Sequence, residues 1–194
     1  MKVLIIDNHD SFTYNIAHIV RACKLTKLEI KKPDELRLSE INDFDRIIFS
    51  PGPDLPSRGN VMELVLEAYQ AEKRILGICL GLQAIVLFYG GQLKKLEEVV
   101  HGMTKVIKRT GAESVVLKDI PSAFIAGFYH SWVADRKKMP SCLELTCHSD
   151  EGRVMGIRHR DFDIEAVQFH PESVMTPLGV KMIENWLAEG VSGK

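Results

Sequence analysis

Residues 74–83 read RILGICLGLQ, and this stretch decides the fold of the chain. The apolar residues 75–78 are typical of a short strand buried in a parallel sheet. The apolar run 82–89 predicts a helix that ends at the glycine pair 90–91. Cys79 therefore lies in a sharp turn between a strand and a helix, with one glycine two residues before it and another two residues after it.

The turn around Cys79 favours a reactive sulfur. Gly77 and Gly81 have no Cβ, so the turn can close tightly and push the thiol outward. This is the arrangement of a nucleophile elbow, with sulfur in place of the serine oxygen. The helix N-terminus behind the sulfur favours the thiolate, which is the reactive form. A small buried cysteine beside a glycine-rich turn is the alternative, but strand, turn and helix together favour a nucleophile.

A second motif supplies a base and an acid that orients it. His170, Pro171 and Glu172 stand at the end of a strand-like stretch. Residues two apart in an extended chain project to the same face, so His170 and Glu172 lie together. Pro171 cannot continue a central strand, which suits a strand end. A carboxylate beside one ring nitrogen leaves the other nitrogen to face a thiol.

Three other histidines are candidates for the role of the base. His9, His101 and His130 are rivals for the base, but none has an acidic residue two positions later. We expect His18 and His159 to be solvated and His148 to lie at a strand end.

A third segment predicts an anion-stabilising loop. Residues 46–50 are typical of another buried strand, which runs directly into Pro51, Gly52, Pro53 and Asp54. Among residues 51–53 only Gly52 has a backbone N–H, and the flanking prolines restrict its direction. Together with the N–H that follows Cys79 in the chain, it would form an oxyanion hole. Considered alone, the loop is equally typical of a plain Pro-Gly turn.

These segments resemble the class I, or triad, glutamine amidotransferases, and within them the small subunits of anthranilate synthase and para-aminobenzoate (aminodeoxychorismate) synthase. The cysteine elbow and the His-Pro-Glu motif are typical of the whole class. The opening at residues 7–15 and the loop Ser50-Pro51-Gly52-Pro53 point to the chorismate-using branch. The resemblance covers essentially the whole chain and extends to residues 101–102 and 129–131.

The resemblance implies a role for each motif. Cys79 would attack the side-chain amide of L-glutamine, His170 would pass a proton to the departing ammonia, and Glu172 would orient His170. Gln83 and the backbone around Ser131 and Trp132 would hold the amino-acid end of the substrate. The residues implied to bind glutamine or its oxyanion are Gly52, Pro53, Asp54, Leu80, Gln83, Ser131 and Trp132.

Three positions depart from the family's pattern. Asp54 replaces a usual glycine, Met103 a usual lysine, and Trp132 a usual leucine. Asp54 and Trp132 border the expected glutamine pocket, so they bear on its shape.

The order of the patterns predicts an α/β fold. Strands alternate with helices over the first ninety or so residues, which implies a parallel, doubly wound sheet. From residue 92 the pattern changes to strands, which should extend this sheet and add an antiparallel layer. The resemblance implies the class I amidotransferase-like (flavodoxin-like) fold, with a mostly parallel central sheet flanked by helices and antiparallel strands in the second half. The predicted strands are 3–6, 28–30, 46–49, 75–78, 103–107, 114–117, 124–128, 143–147, 154–157 and 164–169.

Four helices are predicted between and after these strands. They span 13–23, 60–73 and 82–89, and a closing helix begins near Pro177. Ser11 or Asp10 is expected to cap the first helix. On the second helix, the residues expected to face inward are Val61, Leu64, Val65, Ala68 and Tyr69. On the closing helix, they are Met182, Ile183, Trp186 and Leu187.

Composition narrows the functional classes. The chain has 194 residues, of which 45% are hydrophobic, and we expect one domain over residues 1–194. The formal net charge of −1 and the lack of a basic run argue against a nucleic-acid partner. The chain enters a strand at once, which leaves no room for a signal peptide, and no apolar run is long enough to span a bilayer.

The four cysteines show no disulfide framework, which is consistent with a reducing cytoplasm. A zinc site formed by Cys142, Cys147 and His148 is conceivable, but alternating residues at 143–147 favour a strand there. We expect no cofactor on this chain.

The whole chain is taken up by one glutaminase-sized domain, so the site that uses ammonia should lie on another polypeptide. The resemblance implies a chorismate-using synthase large subunit, with magnesium only on that partner. Two other classes remain open: a stand-alone Cys-His-Glu hydrolase of γ-glutamyl substrates, and a non-catalytic subunit that retains the fold. Ammonia release from free glutamine separates the first from an amidotransferase, and the reactivity of Cys79 toward a glutamine-mimicking alkylator separates the second.

Overall fold

A nine-stranded sheet organises the computed structural model, which describes residues 1–23 and 27–188, with the backbone alone at 98–101. The strands are β1 (Lys2–Ile6), β2 (Lys27–Lys31), β3 (Arg46–Phe49), β4 (Arg74–Ile78), β5 (Leu93–Arg109), β6 (Ala123–Ala134), β7 (Leu143–Ser149), β8 (Val154–His159) and β9 (Ile164–Val167). The helices are α1 (Thr13–Ala22), α2 (Val61–Tyr69), α3 (Leu80–Phe88) and α4 (Gly179–Ala188), with 3-10 turns at Leu38–Asp43 and Arg136–Lys138.

The strand order across the sheet is β2-β1-β3-β4-β9-β8-β7-β5-β6. The pairs from β2 to β9 are parallel, and those from β9 to β6 are antiparallel. Strands β3 and β4 are buried along their whole length because helices cover both faces of the parallel half. The α/β fold with antiparallel strands in its second half is therefore confirmed, but those strands continue the same sheet instead of forming a separate layer.

Two apolar cores lie on opposite faces of the sheet. Residues of α1 and α4 fill one core, around Trp186 and the inner side of β6. Residues of α2 and α3 fill the other, around Phe49. The buried stripe predicted for the closing helix is confirmed, since Met182, Ile183, Trp186 and Leu187 are all buried.

Helix α2 is shorter than predicted and is rotated. Met62, Val65 and Leu66 are its buried residues, whereas Leu64 is 42% exposed. Both stripes fit a period of 3.6 residues, so the pattern alone did not determine which one faces the core. The side chain of Asn60 accepts hydrogen bonds from the N–H groups of Met62 and Glu63 and fixes where the helix begins.

Two further local predictions are wrong. Helix α1 begins after Phe12 with no side-chain cap, because Asp10 instead accepts a hydrogen bond from the Phe12 N–H at 2.8 Å. Residues 114–117 form turns and not a strand. They turn around the buried carboxylate of Glu165, which accepts hydrogen bonds from the N–H groups of Val115 and Val116.

Candidate active site

Cys79 lies at the carboxyl end of β4, where the chain turns into α3. Its backbone angles are φ 53° and ψ −99°, a region that residues with a Cβ rarely adopt. A Cβ on Gly77 would come within 2.7 Å of the Gly81 backbone, and one on Gly81 within 2.7 Å of the Phe49 carbonyl oxygen. The tight elbow predicted from the glycine spacing is therefore present, although α3 begins directly after Cys79, two residues earlier than predicted.

His170 and Glu172 form a buried pair at the same end of the sheet. His170 Nδ1 lies 2.7 Å from Glu172 Oε1, as their spacing in the sequence predicted. The other ring nitrogen, Nε2, is buried and makes no hydrogen bond to any described residue, and the same holds for Glu172 Oε2.

The surroundings of His170 favour its charged form. Burial lowers the pKa of His170, but the neighbouring Cys79 and Glu172 outweigh that effect and raise it to about 10. The cysteine side chain is thus near enough to affect the imidazole. A proton taken from the thiol can reside on Nε2, because the carboxylate on the far side of the ring stabilises the resulting imidazolium.

The loop at residues 170–176 is held against strand β6. The His170 N–H donates to the Gly127 carbonyl at 3.1 Å, and the Gly127 N–H donates to the Thr176 hydroxyl at 3.0 Å. That hydroxyl donates in turn to the His170 carbonyl at 2.7 Å. Phe12 and Tyr129 pack on the His170 ring, with centroids 5.2 and 4.9 Å away. The histidine is therefore positioned by backbone as well as side-chain contacts.

The loop after β3 is packed closely against the elbow. A Cβ on Gly52 would lie 2.5 Å from Leu80 Cδ2 and 2.8 Å from Asn8 Cβ, so a side chain has no room there. Asp54 has φ 63°, a left-handed conformation that glycine adopts without strain and that residues with a Cβ rarely adopt. The loop and the start of α3 are in contact, and the donor roles of the Gly52 and Leu80 N–H groups remain predictions.

A cleft of about 630 Å³ opens over the cysteine. Of the seven residues predicted to bind glutamine or its oxyanion, six line this cleft together with Cys79. The exception is Leu80, which lines a neighbouring groove; its predicted contribution was the backbone N–H alone. The lining residues are Gly52, Pro53, Asp54, Leu55, Cys79, Gln83, Lys95, Tyr129, His130, Ser131 and Trp132.

The cleft also contains residues that were not predicted to bind substrate. Lys95 reaches it because the β5–β6 register places Lys95 opposite Trp132. His130 is buried, and its Nδ1 has no hydrogen-bond partner among the described residues. Burial and the nearby His170 lower the pKa of His130 to about 3, so its ring is neutral at physiological pH. The side chain of His101 lies outside the described part of the chain.

Gln168 lies between Gln83, which lines the cleft, and Cys79. Its Nε2 lies 3.5 Å from Cys79 Sγ, and its Oε1 lies 3.5 Å from Gln83 Nε2. Gln83 Nε2 also donates to the Trp132 carbonyl at 3.0 Å. No role was predicted for Gln168 from the sequence. It stands two residues before His170, just as Glu172 stands two residues after it.

The chain matches the family model for class-I glutamine amidotransferases over residues 4–189. This match covers nearly all of the chain and includes the elbow, the loop after β3 and the His-Pro-Glu motif.

The chain belongs to the class-I glutamine amidotransferases.

Relatives of this amidotransferase share its length. It is 40% identical over 188 residues to a Haemophilus influenzae protein provisionally named anthranilate synthase component II, covering 97% of this chain and 96% of that one. It is 35% identical over 187 residues to the aminodeoxychorismate/anthranilate synthase component 2 of Bacillus subtilis, covering 95% of each. The crystal structure of a Thermoplasma acidophilum protein, provisionally named as part of a GMP synthase, shares the fold, with a TM-score of 0.83 at 24% identity over 96% of this chain and 92% of that one.

Other predictions concern residues outside the cleft of this amidotransferase. Within the described residues, no three His, Cys, Asp or Glu side chains are grouped so that they could hold a metal ion, and no helix is long and apolar enough to cross a membrane. The alternating stretch at 143–147 is a strand, β7, as predicted. The prediction that His159 is solvated is wrong. Its ring is buried, stacks on Phe162 at 4.6 Å and accepts a hydrogen bond from the Asp161 N–H.

Proposed function

We propose that the chain is a glutaminase subunit that hydrolyses L-glutamine through Cys79, His170 and Glu172 and delivers ammonia to a synthase partner. The observation that carries the proposal is the elbow cysteine at the base of a cleft, beside a histidine whose far nitrogen is held by a carboxylate. The cleft has room for one amino acid, and six of its lining residues are those implied to bind glutamine.

In the first half of the reaction the Cys79 thiol gives its proton to His170 Nε2. The sulfur attacks the side-chain amide carbon of glutamine, and the carbonyl oxygen takes up the negative charge between the N–H groups of Gly52 and Leu80. His170 then donates its proton to the amide nitrogen as the C–N bond breaks. Ammonia leaves, and a thioester joins Cys79 to the glutamyl group.

In the second half, water adds to the thioester carbon and passes a proton to His170. The C–S bond breaks, glutamate leaves, and the proton returns to the sulfur. Glu172 stays ionised throughout, because its part is to fix the ring and stabilise the imidazolium. Each step uses residues of this chain alone, so no cofactor is required on it.

The partner proposed is a chorismate-using component I, which would carry its own magnesium ion. The names of the Haemophilus influenzae and Bacillus subtilis relatives support this class of partner. Because one relative is named for anthranilate synthesis and the other for both products, the chain should be tested with both kinds of component I. Release of ammonia without an acceptor wastes glutamine, so we expect the lone chain to be the weaker glutaminase.

The decisive experiment compares Cys79→Ser with the wild type in the reconstituted complex. Glutamine-dependent product formation is expected to disappear, while synthesis from added ammonia continues, since external ammonia bypasses the covalent step. Wild-type chain that releases glutamate from γ-glutamyl peptides but no ammonia from glutamine would favour the stand-alone hydrolase. A Cys79 that no glutamine-mimicking alkylator modifies would favour a non-catalytic subunit.

A further inference from the structure

The hydrogen-bonded chain from Trp132 to Cys79 fixes which atom of Gln168 faces the sulfur. The Trp132 carbonyl can only accept a hydrogen bond, so the atom of Gln83 that faces it, 3.0 Å away, must be the amide nitrogen. The same nitrogen faces Gln168 at 3.5 Å, and therefore the atom of Gln168 on that side must be its oxygen. The Gln168 nitrogen is left pointing at Sγ, 3.5 Å away.

Gln168 is completely buried, with 0% of its surface exposed. Solvent therefore does not compete for its amide, and a hydrogen bond is electrostatically stronger in such a site than in water. The cleft reaches Gln83 but not Gln168.

We propose that Gln168 is a further catalytic residue, which stabilises the Cys79 thiolate by donating an N–H hydrogen bond to it. The proposal rests on the proposed function, in which Cys79 is the nucleophile. A donor binds an ionised acceptor more strongly than a neutral one, so this contact favours S⁻ over S–H. The thiol proton goes to His170 Nε2, and no other reactant is needed.

The same contact serves both halves of the reaction. It raises the fraction of sulfur that is ionised before attack on the amide. When the thioester breaks down, the departing sulfur again becomes a thiolate, and a stabilised thiolate leaves faster. The backbone donors of the oxyanion hole act on the substrate oxygen, so Gln168 acts on a different atom.

The test is the pH dependence of Cys79 alkylation by iodoacetamide in the full chain. Mass spectrometry of the peptide that carries Cys79 is needed, because three other free cysteines are present, at positions 23, 142 and 147. Gln168→Met keeps the shape of the side chain and removes the donor. The titratable groups around the sulfur and the cleft remain the same in both proteins; they are Asp54, Lys95, Tyr129, His130, His170 and Glu172.

In Gln168→Met, the pH at half-maximal alkylation rate is expected to rise by about one unit, the size of one hydrogen bond to a charged group. The alkylation rate at neutral pH should fall on the order of tenfold. Glutamine turnover should lose kcat with little change in KM. Gln168→Glu places a carboxylate of the same shape beside the sulfur, so its half-maximal pH should rise further.

Glu165→Gln is the matched control. Glu165 is also buried at β9, but its carboxylate bonds to residues 114–116 and not to the sulfur. Its alkylation profile should match the wild type. A folded Gln168→Met with the wild-type profile would overturn the proposal and make Gln168 a packing residue. If that variant does not fold, an unshifted or lowered half-maximal pH in Gln168→Glu would overturn it equally.

Alkylation by iodoacetamide does not require glutamine, so this test is separate from that of the proposed function. Cys79→Ser that still hydrolyses glutamine would refute the proposed nucleophile. The alkylation profiles would then still report whether Gln168 controls the sulfur.

Discussion

Two buried glutamates on one stretch of chain, Glu165 and Glu172, are bonded in opposite ways. Glu165 accepts hydrogen bonds from Ser114 Oγ at 2.5 Å and from two backbone N–H groups. Glu172 has one partner, His170 Nδ1, and its Oε2 has none among the described residues. Buried polar groups are normally satisfied, so a carboxylate that is not fully bonded marks a place where the fold gives up stability. We expect this difference to separate Glu165, which holds the structure, from Glu172, which takes part in the proposed reaction.

The largest expected effect comes from Glu172→Gln. The neutral amide cannot stabilise the His170 imidazolium, so glutamine-dependent kcat should fall on the order of a thousandfold. The free energy of unfolding should also fall at neutral pH, because Glu172 helps to raise the pKa of His170 and so stabilises its charged form in the folded chain; the loss of kcat is the result that distinguishes this variant. Steady-state kinetics and urea unfolding on the same preparation measure both quantities. A variant that keeps its kcat but loses stability would reverse the comparison.

Glu165→Gln should lose stability without losing kcat. Burial raises the pKa of Glu165, although its hydrogen-bond donors work against that shift. The amide N–H₂ of glutamine would face one of those donors, so the free energy of unfolding should fall by about 1–3 kcal/mol. kcat should remain within a factor of about two to three, because the turn at residues 114–117 lies outside the cleft. If Glu165→Gln lost as much kcat as Glu172→Gln, the number of hydrogen bonds that a buried glutamate makes would not distinguish a structural role from a catalytic one.

The residues predicted correctly share a strong local pattern. The elbow follows from two glycines spaced around Cys79 between a strand and a helix, and the His170–Glu172 pair follows from the alternation of an extended chain. Both depend on backbone geometry over a few residues, which the sequence expresses directly. The strand order of the sheet and the reach of Lys95 into the cleft depend on long-range register, which no local pattern contains.

The missed residues show the same limit. Residues 114–117 contain a short apolar, β-branched run that is typical of a strand, but their N–H groups bond to a carboxylate some fifty positions later in the chain and they form turns. His159 was predicted to be solvated, yet the rings of Phe162 and Tyr89 pack against its ring. The position of Gln168 could have been predicted, because the alternation that pairs His170 with Glu172 also places residue 168 on that face.

His130 extends the comparison to another buried side chain with a polar atom, Nδ1, that makes no hydrogen bond to any described residue. Its pKa is lowered to about 3 by burial and by the nearby His170, whereas in the unfolded chain it is near the ordinary 6.5. Between these values the unfolded chain binds the proton, so the stability from neutral His130 is fully present above pH 6.5 and is lost as the pH falls toward 3.

From pH 7 to pH 5 the wild type should therefore lose about 1–2 kcal/mol more free energy of unfolding than His130→Gln, which cannot titrate. Urea unfolding of both proteins at the two pH values measures this difference. Parallel losses in the two proteins would show that His130 is protonated in the folded state.

The smallest effect is expected at Asp54, a carboxylate that is exposed instead of buried. Glycine adopts a φ of 63° without strain, so Asp54→Gly relieves strain in the folded chain but makes the unfolded chain more flexible. The two effects should nearly cancel, and the free energy of unfolding should change by no more than about 0.5 kcal/mol. Asp54→Val should cost about 1–2 kcal/mol, because a β-branched residue resists this conformation. Thermal unfolding of the three proteins tests the order. Equal melting temperatures for Val and Gly would show that the loop relaxes.

The loop at residues 170–176 has a consequence for how the protein behaves in concentrated solution. Strand β6 forms one edge of the sheet, and an uncovered edge is a template on which a strand from another copy can add. The His170 N–H and the Thr176 hydroxyl occupy the outward carbonyl and N–H of Gly127 in the middle of that edge. The segment that carries His170 therefore covers part of this edge, and we expect a substitution that loosens it to lower solubility together with turnover.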